Sequence, residues 1–162
     1  MRLKRSFGSH LPVLIRVMQA TTGPVVEIGG GFFSTPVLHW MCCDQGRMLV
    51  TYDNDPATIE LICRFRTRFH AIHLVSDWDT IDLSTWWSVA LIDHRPSKRR
   101  WRDVLRVKYA DYIVVHDTQD QVRNHYGYDN LSGKFRYEYR YARAKPQTTV
   151  YSNQHDPAAL FE

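Results

Sequence analysis

Cysteine is scarce in this chain, with three residues in 162. Cys42, Cys43 and Cys63 have the spacing of neither a zinc site nor a disulfide framework. Their pattern argues against a disulfide-stapled secreted scaffold and predicts reduced, mostly buried thiols in a cytoplasmic setting. Long apolar runs are missing too: no segment approaches ~18 consecutive apolar residues, so no membrane span is expected. Leu11-Pro12-Val13-Leu14-Ile15 follows the basic start Met1-Arg2-Leu3-Lys4-Arg5, but it is too short for a signal-peptide core and runs into Arg16. Repeats, low-complexity tracts and linkers are absent, which argues against solenoids and flexible tethers. Strong charge is absent as well. A formal net charge of +4 permits anionic partners without demanding nucleic acid.

What is present is an ordinary globular balance, 44% apolar and 23% charged residues. It predicts one domain over residues 1–162, with 154–162 as a loose tail. Leu11, Leu14, Ile15 and Met18 share a helical face, so a helix over 9–20 capped by Ser9 is expected. Short apolar runs follow at Val25–Ile28, Arg47–Tyr52, Ala71–Val75, Val89–Ile92 and Tyr112–Val115, separated by helical patterns. Two of those helices should start at Pro36, capped by Thr35, and at Pro56, capped by Asp55 and turning Ile59, Ile62 and Cys63 inward. Another should be capped by Ser97 and turn Trp101, Val104 and Leu105 inward. Continuous apolar strands alternating with helices are the signature of a parallel sheet covered on both faces. Phe135, Tyr137, Tyr139 and Tyr141 then alternate with polar residues, and Gln147–Tyr151 forms a last strand after the turn at Ala144-Lys145-Pro146.

The stretch Glu27-Ile28-Gly29-Gly30-Gly31-Phe32-Phe33-Ser34-Thr35-Pro36 organises this pattern. It reads as a strand end, a glycine turn and a helix start, a place where a ligand can approach the main chain closely. Gly29 and Gly31 fit a dinucleotide fingerprint, but Ser34 stands where its third small residue belongs. A carboxylate at Glu27 suits an ammonium group better than a pyrophosphate. The other strands also end in acids: Asp53-Asn54, Asp77-Trp78, Asp93-His94 and His116-Asp117. In an open α/β sheet these ends converge on one crevice. Each acid alone also has a bland reading as a helix cap or a solvated loop residue, and Trp78 as core packing.

Glu27, Gly29 and Gly31 resemble motif I of the class I S-adenosylmethionine-dependent methyltransferases, with Phe33 in place of the last glycine. The resemblance covers residues 10–152. It implies an α/β, Rossmann-like three-layer sandwich, with a mostly parallel seven-stranded sheet closed by a C-terminal antiparallel hairpin. It also implies S-adenosyl-L-methionine as cofactor, held by Glu27, Gly29, Gly30, Gly31, Asp53 and Asn54 at the ribose, Asp77 and Trp78 at the adenine, and Asp93. The ends of strands four and five resemble the catechol O-methyltransferase-like branch. There Asp93, Asp117 and Asp120 would hold Mg2+, although Thr118 stands in place of an amide ligand and Pro96 in place of the usual lysine base. Without a metal, His94 or His116 could serve as base. Arg143 and Lys145 would meet a small or anionic acceptor accepting through oxygen or nitrogen. The basic run Lys98-Arg99-Arg100-Trp101-Arg102 reads as a solvated helix face, and His70 and His73 as structural. Two rivals remain: a nicotinamide-dependent oxidoreductase, and a catalytically inactive methyltransferase-like domain that binds nucleic acid or a protein partner.

Overall fold

The computed structural model describes residues 5–162, so Met1–Lys4, part of the basic start, lie outside the described residues. Helix α1 (Leu11–Gln19) leads to β1 (Val25–Ile28), α2 (Ser34–Gln45), β2 (Leu49–Asp53), α3 (Pro56–Ile62) and β3 (His70–Leu74). Strand β4 (Val89–Ile92), α4 (Arg100–Arg106), β5 (Tyr112–His116), the short α5 (Asp120–Arg123), β6 (Tyr137–Tyr141) and β7 (Thr148–Ser152) complete it. The seven strands form one sheet in the order β3-β2-β1-β4-β5-β7-β6. β1 to β5 are parallel, and β7 runs antiparallel between β5 and β6. The expected Rossmann-like architecture, with its closing hairpin, is therefore the observed one.

Buried strands β1, β4 and β5 present alternate residues to two apolar layers. Val25, Val89, Leu91 and Val114 pack with Val13, Leu14, Val17 and Met18 of α1 and Leu38 and Cys42 of α2. Val26, Ile28, Ala90, Ile92, Ile113 and Val115 pack with Trp78, Trp87, Val104 and Tyr128 on the opposite face. Val13 and Val17, not Leu11 and Ile15, complete the buried stripe of α1.

Several local expectations change. Ser9 does not cap α1, Thr35 does not cap α2, and Ser97 makes no cap hydrogen bond. Asp55 does cap α3, its Oδ1 accepting the Ala57 N–H at 3.0 Å with Pro56 at the first helical position. No α-helix joins β3 to β4 among the described residues; a 3-10 turn at Trp78–Thr80 and extended chain make that crossover. Cys43 and Cys63 are exposed and only Cys42 is buried. The chain end is not loose, because Asp156 caps a 3-10 turn at Pro157–Leu160 and the buried Phe161 stacks on Tyr139 with centroids 4.4 Å apart.

Arg47 ties the helix layer to the N-terminal edge of the sheet. Its buried guanidinium donates to the carbonyls of Gly23 (2.6 Å), Met18 (3.1 Å) and Thr21 (3.0 Å), and to Ser88 Oγ (2.8 Å). Met18 and Thr21 close the C-terminal end of α1, where a positive charge is favoured by the helix dipole. Arg47→Leu leaves these acceptors without their donor. Hydrogen bonds to charged groups contribute ~1.5–3 kcal/mol each, so a loss of at least ~3 kcal/mol is expected in urea unfolding at neutral pH.

Candidate active site

The carboxyl ends of β1, β2, β4 and β5 open into one cavity of about 470 Å³. Gly29, Gly30 and Gly31, Asp53 and Asn54, Asp93 and His94, and His116 and Asp117 line it, so four of the five predicted strand ends converge. Gly29 has φ +99, and a Cβ there would collide with the backbone of His94. That glycine lets β1 turn hard against the end of β4. A Cβ on Gly31 would meet only Ser34 Oγ, at 3.9 Å, so the loop's bare main chain faces open space.

Glu27 lies behind this loop, not in it. Its fully buried carboxylate accepts hydrogen bonds from Thr35 Oγ1 (2.8 Å) and Thr51 Oγ1 (2.7 Å), while the Gly31 N–H donates to Thr35 Oγ1 (2.9 Å). Thr35, expected as a helix cap, thus connects the glycine loop to Glu27. His70 Nε2 reaches Thr51 Oγ1 at 2.9 Å, and His39 Nδ1 reaches His70 Nδ1 at 3.1 Å. Thr51 has already given its one hydrogen to Glu27, so His70 donates to Thr51 and His39 donates to His70. Burial pushes the Glu27 carboxyl from 4.5 up to about 7, against the lowering effect of its hydrogen bonds to Ser34, Thr51 and Thr35. Asp53 does line the cavity. Its Oδ1 accepts the Asp55 N–H at 2.7 Å, and burial raises its pKa.

Strand three does not contribute as expected. Asp77 is exposed and accepts the Asp79 N–H at 2.9 Å, which makes it the cap of the 3-10 turn. Trp78 is buried against His94, and its Nε1–H donates to the Arg95 carbonyl at 2.9 Å. Neither lines the cavity. Arg143 and Lys145 are exposed and also stand outside its wall, although Pro146 of the same turn belongs to it.

The largest departure is Arg100. The expected solvated cation is 3% exposed and bridges the acids of strands four and five. Its guanidinium lies 2.9 Å from Asp93 Oδ1 and 3.3 Å from Asp117 Oδ2, and donates to the carbonyls of Asp93, His94 and His116. Asp117 is held in the left-handed region at φ 59, uncommon for a residue with a side chain. Contrary to the resemblance, an oxygen-ligated Mg2+ does not fit between two carboxylates already bridged by a guanidinium. Thr118 is buried and bonded to Thr149, while Asp120 pairs with Arg140 outside the cavity. Periodicity held a signal for Arg100, which precedes the buried Val104 by four residues on the same face of α4.

The two histidines separate. The His94 ring is fully buried, with Nε2 3.0 Å from Asp103 Oδ2, and cannot reach a ligand. His116 faces the cavity with Nδ1 3.1 Å from Asp93 Oδ2 and Nε2 2.9 Å from Ser9 Oγ. Burial opposes ionisation of Asp93, but His116 and the charge of Arg100 outweigh it and hold the carboxyl below the usual carboxylate range. His10 was not anticipated. It is 2% exposed, lies edge-on to His116 at 4.6 Å between ring centroids and lines the cavity, and among the described residues neither ring nitrogen has a partner. Burial and the neighbouring His116 push its pKa down to about 4.

No protein-family model matches the chain, and no curated protein matches it in sequence. Solved structures match its shape. The O-methyltransferase TomG of Streptomyces achromogenes, in complex with S-adenosylmethionine, is 15% identical with a TM-score of 0.64, over 95% of this chain and 82% of its own. Human methyltransferase-like protein 13, in complex with S-adenosylhomocysteine, is 13% identical (TM-score 0.60; 91% and 79%). Spermidine synthase of Thermotoga maritima is 14% identical (TM-score 0.66) over 96% of this chain, which spans only 62% of the synthase. At these identities the likeness establishes the fold, that of class I methyltransferases, and the synthase shows that this fold is not confined to enzymes named for methyl transfer.

A carboxyl whose pKa is higher folded than unfolded binds more protons in the native state. The contribution of Glu27 to stability therefore falls as pH rises from about 4.5 to about 7 and is constant above. Glu27→Gln keeps an acceptor for Thr35 and Thr51 but removes that titration. Relative to the parent, this variant should gain up to ~3 kcal/mol between pH 4.5 and 8 in urea unfolding.

Proposed function

We propose that this chain is an S-adenosylmethionine-dependent methyltransferase acting on an oxygen or nitrogen of a small acceptor. The observation that carries the reading is the charge and placement of the cavity wall. Four carboxylates (Asp53, Asp55, Asp93 and Asp117) and two guanidiniums (Arg95 and Arg100) line it, beside the bare main chain of Gly30 and Gly31. That balance suits a ligand with cationic sulfonium and ammonium groups and a ribose diol. It does not suit a pyrophosphate.

When bound, the cofactor supplies an activated methyl group on sulfur. The protein's part is to hold and to exclude water. In this reading Asp53 and Asn54, at the end of β2, would hold the ribose and Gly29–Gly31 the amino-acid portion, while Glu27 keeps the loop in shape from behind. The acceptor would enter the same cavity, whose wall also includes Phe7, His10, His116, Tyr126 and Pro146, and in-line approach would be a matter of positioning. His94 has no access, and both nitrogens of His116 are engaged, so neither offers a free lone pair for deprotonation.

The rivals lose support on specific grounds. A nicotinamide enzyme of the dinucleotide-binding type has the sheet order 3-2-1-4-5-6, without the antiparallel strand inserted beside β5. The basic run Lys98–Arg102 offers nucleic acid little free charge, because Arg99 pairs with Asp79 and Asp103, and Arg100 is buried. No helix among the described residues is long and apolar enough to cross a membrane.

Adenosylhomocysteine should raise the melting temperature, the stabilisation reaching ~2.7 kcal/mol at a hundredfold excess over Kd, and NAD should not. Absence of any shift at millimolar adenosylhomocysteine in a folded sample would remove the reading. Asp53→Ala should weaken that binding by ~1.5–3 kcal/mol in calorimetry with the fold intact.

A further inference from the structure

Hydrogen-bond accounting around His116 leaves one place unfilled. Ser9 Oγ lies 2.8 Å from the Pro146 carbonyl, which can only accept, so the single Ser9 hydroxyl hydrogen is committed there. Ser9 can then offer only a lone pair to His116 Nε2 at 2.9 Å, and Nε2 must carry a hydrogen. In a neutral ring the Nδ1 lone pair would consequently point at Asp93 Oδ2, itself a lone-pair donor, 3.1 Å away. Two such atoms face each other stably only across a positive charge, either a proton or a metal ion.

His10 indicates which. It is buried at the same place, and among the described residues neither of its ring nitrogens has a partner. A proton on His116 would bridge it to Asp93 but give the His10 ring no partner, whereas an ion would engage all three side chains. One ligand atom each from His10, Asp93 and His116 lies within 4.8 Å of the others. Ligands ~2.0–2.2 Å from one ion in tetrahedral geometry are ~3.3 Å apart, close to the observed 3.1 Å between His116 and Asp93. Among the described residues no hydrogen bond restrains the His10 ring. Arg100 sits on the other oxygen of Asp93, Oδ1, and leaves Oδ2 free for the ion. The two carboxylates of Asp93 and Asp117 outnumber the one guanidinium of Arg100 that bridges them, which favours a further cation.

We propose that His10, Asp93 and His116 form a binding site for one divalent transition-metal ion of the zinc or iron(II) class, with an open coordination position toward the cavity. Two imidazoles and a carboxylate select such ions over magnesium and calcium, which prefer all-oxygen shells. Three protein ligands with an open position describe a reactive site, not a closed structural one. Ser9 orients His116 from behind, the role an outer hydrogen-bond partner plays at metal-ligating imidazoles. The existence of the site does not depend on methyl transfer. Its use there, to grip an acceptor hydroxyl and lower its pKa, rests on the function proposed above.

The test is calorimetric titration of EDTA-dialysed full-length protein with Zn2+ at pH 7.5, paired with the visible spectrum of the Co2+ form. One equivalent should bind with micromolar or tighter affinity, and the Co2+ spectrum should show ligand-field bands without thiolate charge transfer. His10→Ala and His116→Ala should each weaken binding by at least ~10-fold, whereas His73→Ala, at an exposed position on β3, should not. X-ray absorption at the zinc edge of the parent, counting two imidazoles and no sulfur, keeps the proposal testable if either variant fails to fold. No binding by the parent, unchanged binding by folded His10→Ala, or a thiolate band from Cys43 or Cys63 would each overturn it. Adenosylhomocysteine melting shifts on the same metal-free samples report separately on the methyltransferase reading.

Discussion

Asp93 and Asp117 follow adjacent parallel strands, and two carboxylates at neighbouring strand ends repel each other unless a cation lies between them. The buried guanidinium of Arg100 is that cation. It also donates to three main-chain carbonyls at the ends of β4 and β5, so the same group neutralises the acids and holds the chain that carries them. The geometry of the cavity floor follows from it. Asp93 stays ionised and turns its second oxygen to His116, and Asp117 keeps a left-handed backbone that few residues with side chains adopt. A buried ion pair of this kind contributes little net stability, but removing one partner strands a charge, which makes the arrangement strongly specified.

A second polar seam does comparable work behind the glycine loop. Glu27, Thr35 and Thr51 join β1, α2 and β2 through hydrogen bonds, and His70 and His39 extend the chain toward Trp40 and Phe65. The loop can therefore present bare main chain to the cavity without being loose, since its Gly31 N–H is tied through Thr35 to a fully buried carboxyl. Each seam is built of groups that would be costly to bury singly.

The cavity wall divides by origin. The turns after β1 and β2 contribute glycine main chain with Asp53, Asn54 and Asp55. Imidazole and aromatic side chains come from the segment before α1, from β5 and from the loop that follows it. Pro146 meets Ser9 because the antiparallel β7 returns its preceding turn to the carboxyl edge of the sheet, beside the start of α1.

The sequence alone determined the sheet's kind and most of its strand positions, because apolar runs of four to six residues, bounded by turn residues and alternating with helical patterns, fit strands buried on both faces. It also located the glycine turn, the Asp55 cap and the acids that converge, since these depend on residue type and short-range spacing. Only the tertiary structure decided which way each polar side chain faces. A carboxylate such as Glu27 looks the same in sequence whether it lines a cavity or lies behind it, and the choice depends on Thr35 and Thr51 arriving from other elements. Asp77 and Trp78 fell to a cap and to the core for the same reason. Arg100, a solvated cation by local charge pattern, became buried because two distant carboxylates needed a counter-charge. His10 and Ser9 meet His116 across more than a hundred residues of chain, a separation at which periodicity and spacing carry no information.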